Sequence, residues 1–131
     1  MHNKLSENYK ISFVIPTYNA ADYVRTTINS IVQSRISNYE IICVDDCSVD
    51  CTGQILDELS KTYEQLITFK LDENQGQSFC RNFGLSKASG KFIFFFDADD
   101  ILIEAEENLK WLMHLLNKIP NSIDLIQINN T

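Results

Sequence analysis

The chain has 131 residues, 44% of them hydrophobic and 22% charged, which fits one globular domain able to bury a core. Its formal net charge of -7 argues against a nucleic-acid backbone as partner, because phosphates repel an acidic surface. No run approaches the ~18 apolar residues of a membrane span, and the polar opening MHNKLSENYK does not read as an export signal.

In chain order, KISFVIP from Lys10 to Pro16 predicts a buried strand stopped by proline. NAADYVRTTINSIVQS then places Val24, Ile28, Ile31 and Val32 on one helical face, with Asn19 as the expected N-cap. YEIICVDD predicts a second buried strand over Glu40 to Val44, and CTGQILDELSKTY a second amphipathic helix carrying Ile55, Leu56 and Leu59. LITFKL, Leu66 to Leu71, reads as a third strand. GQSFCRNFGLSKASG reads as a third helix stopped by Gly90. KFIFFF predicts strand four. Glu104 to Asn117 predicts a long helix with Leu109, Leu112, Met113 and Leu116 facing inward, and Ser122 to Ile128 a fifth strand. Strict alternation of buried strands and helices implies an α/β fold: a Rossmann-like, mostly parallel sheet covered on both faces. Right-handed crossovers then bring the strand C-terminal ends to one edge, where ligands bind in such sheets.

The residues at those ends carry the chemistry. Strand one runs into PTYN, strand two into Asp45 and Asp46, strand three into DENQGQ, and strand four into Asp97, Asp99 and Asp100. Two acidic clusters ending neighbouring strands would repel one another and lose hydration unless a cation joined them. Oxygen-rich sites suit magnesium, manganese or calcium, and magnesium is commonly shared between carboxylates and the phosphates of a ligand. The plainer reading is that aspartates after strands are caps and turn formers, and Asp50 and Asp72 fit it. Gly76, after strand three, fits close backbone approach to a ligand, whereas Gly84 and Gly90 read as ordinary turn glycines.

Cys43, Cys47, Cys51 and Cys80 do not form a Cys-x-x-Cys pair, and His2 and His114 lie far from them in sequence, so zinc is not expected. Cys43 sits in the apolar run IICV as a small hydrophobe. Free thiols without an export signal predict a cytoplasmic protein, with a full-length parent peripheral to the inner face of the membrane as the extension of that reading.

FVIPTYNAADYVRTTINSIVQS, YEIICVDDCSVDCTGQIL and NQGQSFCRNFGLSKASGKFIFFFDADD together resemble the nucleotide-binding half of the family 2 glycosyltransferases, which have the GT-A fold. The resemblance covers about residues 10 to 128 and implies a function and a set of roles. The parent enzyme would move a sugar from a nucleotide-diphosphate donor to a hydroxyl acceptor in glycan or polysaccharide synthesis, with inversion. Pro16, Thr17 and Tyr18 would line the base and ribose pocket. Asp46 would accept a hydrogen bond from the base, typically uracil, which favours a UDP-sugar. Asp45 and Ser48 would support that loop. Arg81 and Asn82 match an ARN element near the nucleotide, with Cys80 where alanine is usual; a structural ion pair between Arg81 and a rim acid is the equal alternative. Asp97-Ala98-Asp99 would be the DxD motif. Asp99 would contact ribose and a metal, with Asp97 or Asp100 assisting, and the metal would be Mn2+ or Mg2+ on the diphosphate. Cys47 stands where many relatives have glycine.

The resemblance also implies that residues 1–131 are one donor-binding domain, truncated before the acceptor-binding half that carries the general base. Glu104, Glu106 and Glu107 read instead as the solvated first turn of a helix. The alternative function is a non-catalytic nucleotide-sugar-binding or assembly module. An open sheet edge makes a homodimer one expected state. An aspartate-nucleophile phosphatase is disfavoured, because Ile101 stands where that class needs threonine. A dinucleotide dehydrogenase is disfavoured by PTYNAAD in place of a GxGxxG turn.

Overall fold

The apolar run ISFVIPT forms the central strand of the sheet, β1 at Ile11–Thr17, with every residue buried. The computed structural model describes residues 10–34 and 36–102. Six further elements follow: α1 (Val24–Val32), β2 (Tyr39–Asp45), α2 (Thr52–Thr62), β3 (Leu66–Lys70), α3 (Gln77–Lys87) and β4 (Phe92–Phe95). The strands pair in the order β3-β2-β1-β4, and all three pairings are parallel. The helix expected over Glu104 to Asn117 and the strand expected over Ser122 to Ile128 lie outside the described residues.

Side-chain alternation sorts β1 and β2 onto two faces. Phe13, Ile15, Ile41 and Cys43 join Val24, Ile28 and Ile31 of α1 and Leu56 and Leu59 of α2 in one core cluster. Phe13 anchors it, meeting Phe94 and Phe96 edge-on at centroid distances of 5.6 Å each. On the other face Ile42 and Val44 pack with Cys80, Phe83 and Ala88 of the α3 region. The expected sheet, covered on both faces, is therefore present.

Several local expectations need correction. Pro16 does not stop β1, which continues to Thr17. The carbonyl of Val14 accepts from Phe96 on the β4 side, and residue 16 shares that side, beyond the end of β4, so its missing N–H costs the ladder nothing. Asn19 is not the N-cap of α1. The helix starts at Val24 after a turn in which Ala20 C=O accepts from the N–H groups of Tyr23 and Val24. Gly90 does not end α3. The helix stops at Lys87 with Ala88 extended, and Gly90 instead lies against Ser12 and the Lys10 carbonyl, where a Cβ would have no room. Gly84 is no turn glycine either: it lies inside α3 where the helix meets β1.

The strand order also changes which ends are neighbours. β1 separates β2 from β4, so the two acidic clusters do not end adjacent strands. The chain runs outward from β1 through β2 to β3, then returns to place β4 on the far side of β1. The order reverses between β1 and β4, and the crevice above such a reversal is where ligands bind in open parallel sheets.

Candidate functional site

A cleft of about 570 Å³ opens at that reversal, beyond the C-terminal ends of the strands. Pro16, Thr17 and Tyr18 line it from β1, Asp46 from β2, and Asp97 and Asp99 from β4. Tyr18 is half exposed at its mouth. Six of the eleven residues assigned to the site from the sequence therefore share one cavity, although up to 83 positions separate them.

Asp45 and Ser48 stand behind the cleft. Asp45 is 1% exposed; its Oδ1 accepts from the Ser48 hydroxyl and, at 3.3 Å, from the Thr17 hydroxyl, while Oδ2 is buried without a partner. The same loop is laced to the β1–α1 connection. The Asn19 N–H donates to Ser48 Oγ at 2.9 Å and the Val49 N–H to Asn19 Oδ1 at 3.0 Å. Asn19 takes φ 48 to do so, a left-handed conformation that asparagine tolerates. Asp50 is the turn former expected of it. Oδ1 accepts from the Thr52 amide and hydroxyl and Oδ2 from the Ala21 amide, which hold its carboxyl below the ordinary range. These links make the floor of the cleft rigid by joining residues about 30 positions apart.

Asp46 is 4% exposed, and both its oxygens are engaged. Oδ1 accepts from the Gln75 N–H at 2.7 Å and Oδ2 from the Gly76 N–H at 3.0 Å. Its backbone carbonyl accepts from Asn74 Nδ2 at 3.3 Å. One carboxylate thus shapes the whole β3–α3 connection. Gly76 starts α3 at φ 92, a conformation that costs glycine little, and its surface faces the cleft. Cys80 lies beneath, fully buried; burial and the neighbouring Asp46 charge push its thiol up to about 11, so it stays protonated.

Across the cleft Asp97, Asp99 and Asp100 each offer an oxygen, and these atoms lie within 4.8 Å of one another. Among the described residues this is the one acidic, cysteine or histidine cluster tight enough for an ion. All three carboxylates are exposed, and their hard oxygens fit Mn2+ or Mg2+ better than zinc. A turn shapes them: the Asp100 N–H donates to Asp97 C=O at 3.0 Å, and the Asp97 N–H to Asp100 Oδ2 at 2.9 Å. Arg81 Nη2 and Gln77 Nε2 both reach Asp97 Oδ1, at 3.3 Å and 3.2 Å. Arg81 thus pairs with a rim acid, as one of its two readings holds; being solvent-exposed, the pair contributes only ~0–1 kcal/mol. Asn82 is exposed on α3 and is not part of the cleft lining. Sequence reasoning passed over Asn19, Tyr23, Asn74 and Gln77 in the lining. The segment DENQGQ was the available signal for the last two.

The sequence profile of glycosyl transferase family 2 matches residues 12–128. The putative teichuronic acid biosynthesis glycosyltransferase TuaG of Bacillus subtilis (strain 168) is 39% identical over 90 residues, covering 69% of this chain and 36% of its own length. The chain thus spans about a third of that curated relative. The structure of S. aureus TarS 1-349 in complex with UDP-GlcNAc superposes with a TM-score of 0.73 at 30% identity, covering 90% of this chain and 37% of that one. The mannosyltransferase PcManGT of Pyrobaculum calidifontis, in complex with GDP-Man and Mn2+, shares the fold with a TM-score of 0.72 at 23% identity, covering 79% of this chain and 32% of its own.

Proposed function

Because the chain belongs to glycosyl transferase family 2 and has the GT-A fold, we propose that it supplies the donor side of an enzyme transferring a sugar from a UDP-sugar to a hydroxyl acceptor. The observation that carries this reading is the meeting of Asp46 and the Asp97–Asp99 pair across one cleft at the sheet's reversal point. The UDP-GlcNAc held by TarS favours a uridine donor, and the naming of TuaG for teichuronic acid biosynthesis favours a part in glycan or polysaccharide synthesis.

Each residue has a part in this reading. Pro16, Thr17 and Tyr18 form the wall for base and ribose. Asp46 accepts from the uracil imide with lone pairs that its two backbone donors leave open. Asp45 and Ser48 hold that wall from behind. Arg81 acts from α3 by keeping Asp97 turned toward the rim, while Asn82, next to it but outside the lining, is left without a contact to the nucleotide in this reading. Asp99 contacts the ribose and, with Asp97 and Asp100, would hold Mn2+ or Mg2+. Such a cation offsets the charge that develops on the departing diphosphate. Inversion needs a carboxylate that takes the acceptor's proton as its oxygen attacks the anomeric carbon and the bond to diphosphate breaks. We assign that base to the acceptor-binding part of the parent enzyme. No helix among the described residues is long and apolar enough to cross a membrane.

Calorimetric titration with UDP, with and without Mn2+ and with GDP as the control, tests the reading. Binding should be tighter with the metal and prefer UDP. Asp46→Ala should weaken UDP by about tenfold or more through the lost hydrogen bond and loosened loop. Asp99→Ala should remove the metal dependence. Unchanged binding in both variants would refute the site.

A further inference from the structure

We propose that Thr27 and Ser30 of α1 are positioning residues for the acidic turn at Asp97–Asp100; the inference rests on the metal reading above. Thr27 lies on the inward stripe of α1 beside Val24, Ile28 and Ile31, and it is 1% exposed. A buried helical threonine ordinarily satisfies its hydroxyl on the carbonyl four residues back. Here the Tyr23 carbonyl accepts the Thr27 N–H, and the hydroxyl instead donates to Ala98 C=O at 2.6 Å, across 71 positions of sequence. Ser30 adds a second tie. Its Oγ accepts from the Leu102 N–H at 3.0 Å and donates to Thr27 C=O at 2.7 Å.

The two ties do what the turn cannot do alone. The internal bonds between Asp97 and Asp100 give the turn its shape but not its place. Ala98 is the residue between the two aspartates of the motif. Fixing its carbonyl fixes the Ala98–Asp99 peptide plane, and with it the place of the turn that carries Asp97 and Asp99. Leu102 fixes the far end of the segment, and Ala98 and Leu102 both pack on the core cluster of α1. Neither Thr27 nor Ser30 lines the cleft, so their effect on a ligand passes through the turn. Three carboxylate oxygens aimed at one small cation tolerate little displacement, because Mg2+ demands near-octahedral geometry.

Thr27→Val keeps the side-chain shape and removes the donor. Titrations of the whole chain should show Mn2+-dependent UDP binding about five- to tenfold weaker, the size of one lost hydrogen bond. UDP binding without metal should stay within about twofold of the parent. Thr27→Ser should restore the metal-dependent part, and Ser30→Ala should speed hydrogen exchange at the Leu102 amide. If the parent depends on Mn2+ and Thr27→Val binds as tightly, the positioning role is refuted while the metal reading stands. Equal weakening with and without metal would mark Thr27 as core packing and refute the role too. A parent indifferent to Mn2+ would overturn both. Should Thr27→Val not fold, Thr27→Ser and Ser30→Ala still decide the matter: full metal affinity together with parental exchange at Leu102 in Ser30→Ala refutes the inference.

Discussion

Cys47 holds φ 61, a left-handed backbone where a Cβ crowds the following carbonyl. Glycine takes this conformation at little cost, and this chain holds it without a glycine. Its thiol donates to Asp72 C=O at 3.5 Å, a weak compensation. Cys47→Gly should therefore be at least as stable as the parent in urea denaturation, while Cys47→Val should lose about 1–2 kcal/mol because a branched Cβ fits the left-handed region worst. A valine variant with an unchanged midpoint would contradict that backbone. At this scale the sequence was informative about residue type: Asp46, Asp97, Asp99, Tyr18 and Gly76 all reached the cleft. It did not disclose second duties. Nothing in VDD says that Asp46 spends both oxygens on the amides of residues 75 and 76.

At the scale of elements, periodicity read out the helices and strands well, and failed where contact between elements decides. Residue 84 is the clearest example. In the sequence it is a glycine inside a helical pattern, which ordinarily weakens a helix. In the fold, α3 crosses the sheet so closely that a Cβ at this position would lie 2.4 Å from Val14 Cγ1 and 3.4 Å from Val44 Cγ2. Gly84→Ala gains up to ~1 kcal/mol of helix propensity but forces overpacking that costs ~1–3 kcal/mol. The variant should melt lower than the parent, and a higher melting temperature would mean that α3 can lift off the sheet without cost. The start of α1 failed for a similar reason. Asn19 has the chemistry of a cap, but the β2–α2 loop claims its side chain first.

Over the whole molecule, the edge opposite the cleft is pinned by one buried acid. Glu40 on β2 accepts from Ser12 Oγ at 2.6 Å and from the Ser89 amide at 2.7 Å, and pairs with Lys10 Nζ at 3.2 Å. It joins both flanks of β4's entry to the sheet, since Ser12 Oγ also accepts from the Gly90 N–H. Burial works against its ionisation, but the hydrogen bonds from Ser12, Ser89 and Lys10 together outweigh it and hold the carboxyl below its usual 4.5. The folded state therefore binds this proton less readily than the unfolded chain. Its stabilising contribution is present above about pH 4.5 and is lost as pH falls through the lower folded value. Melting curves across that range should show an acid-induced loss that is smaller in Glu40→Gln, alongside a lower stability at neutral pH. An identical acid profile in the variant would exclude Glu40 as a source. The sequence by itself determined the alternation of elements, the parallel sheet, the apolar faces and the family, because these depend on local periodicity and on short runs of neighbouring residues. Only the tertiary structure decided the strand order that puts β1 between the two acidic ends, the cross-links from Asp46 to residue 76 and from Thr27 to Ala98, and the fit of residue 84 against Val14. Those depend on which donor meets which acceptor after distant segments pack, and pairings across 30 to 71 positions leave no periodic trace in the chain.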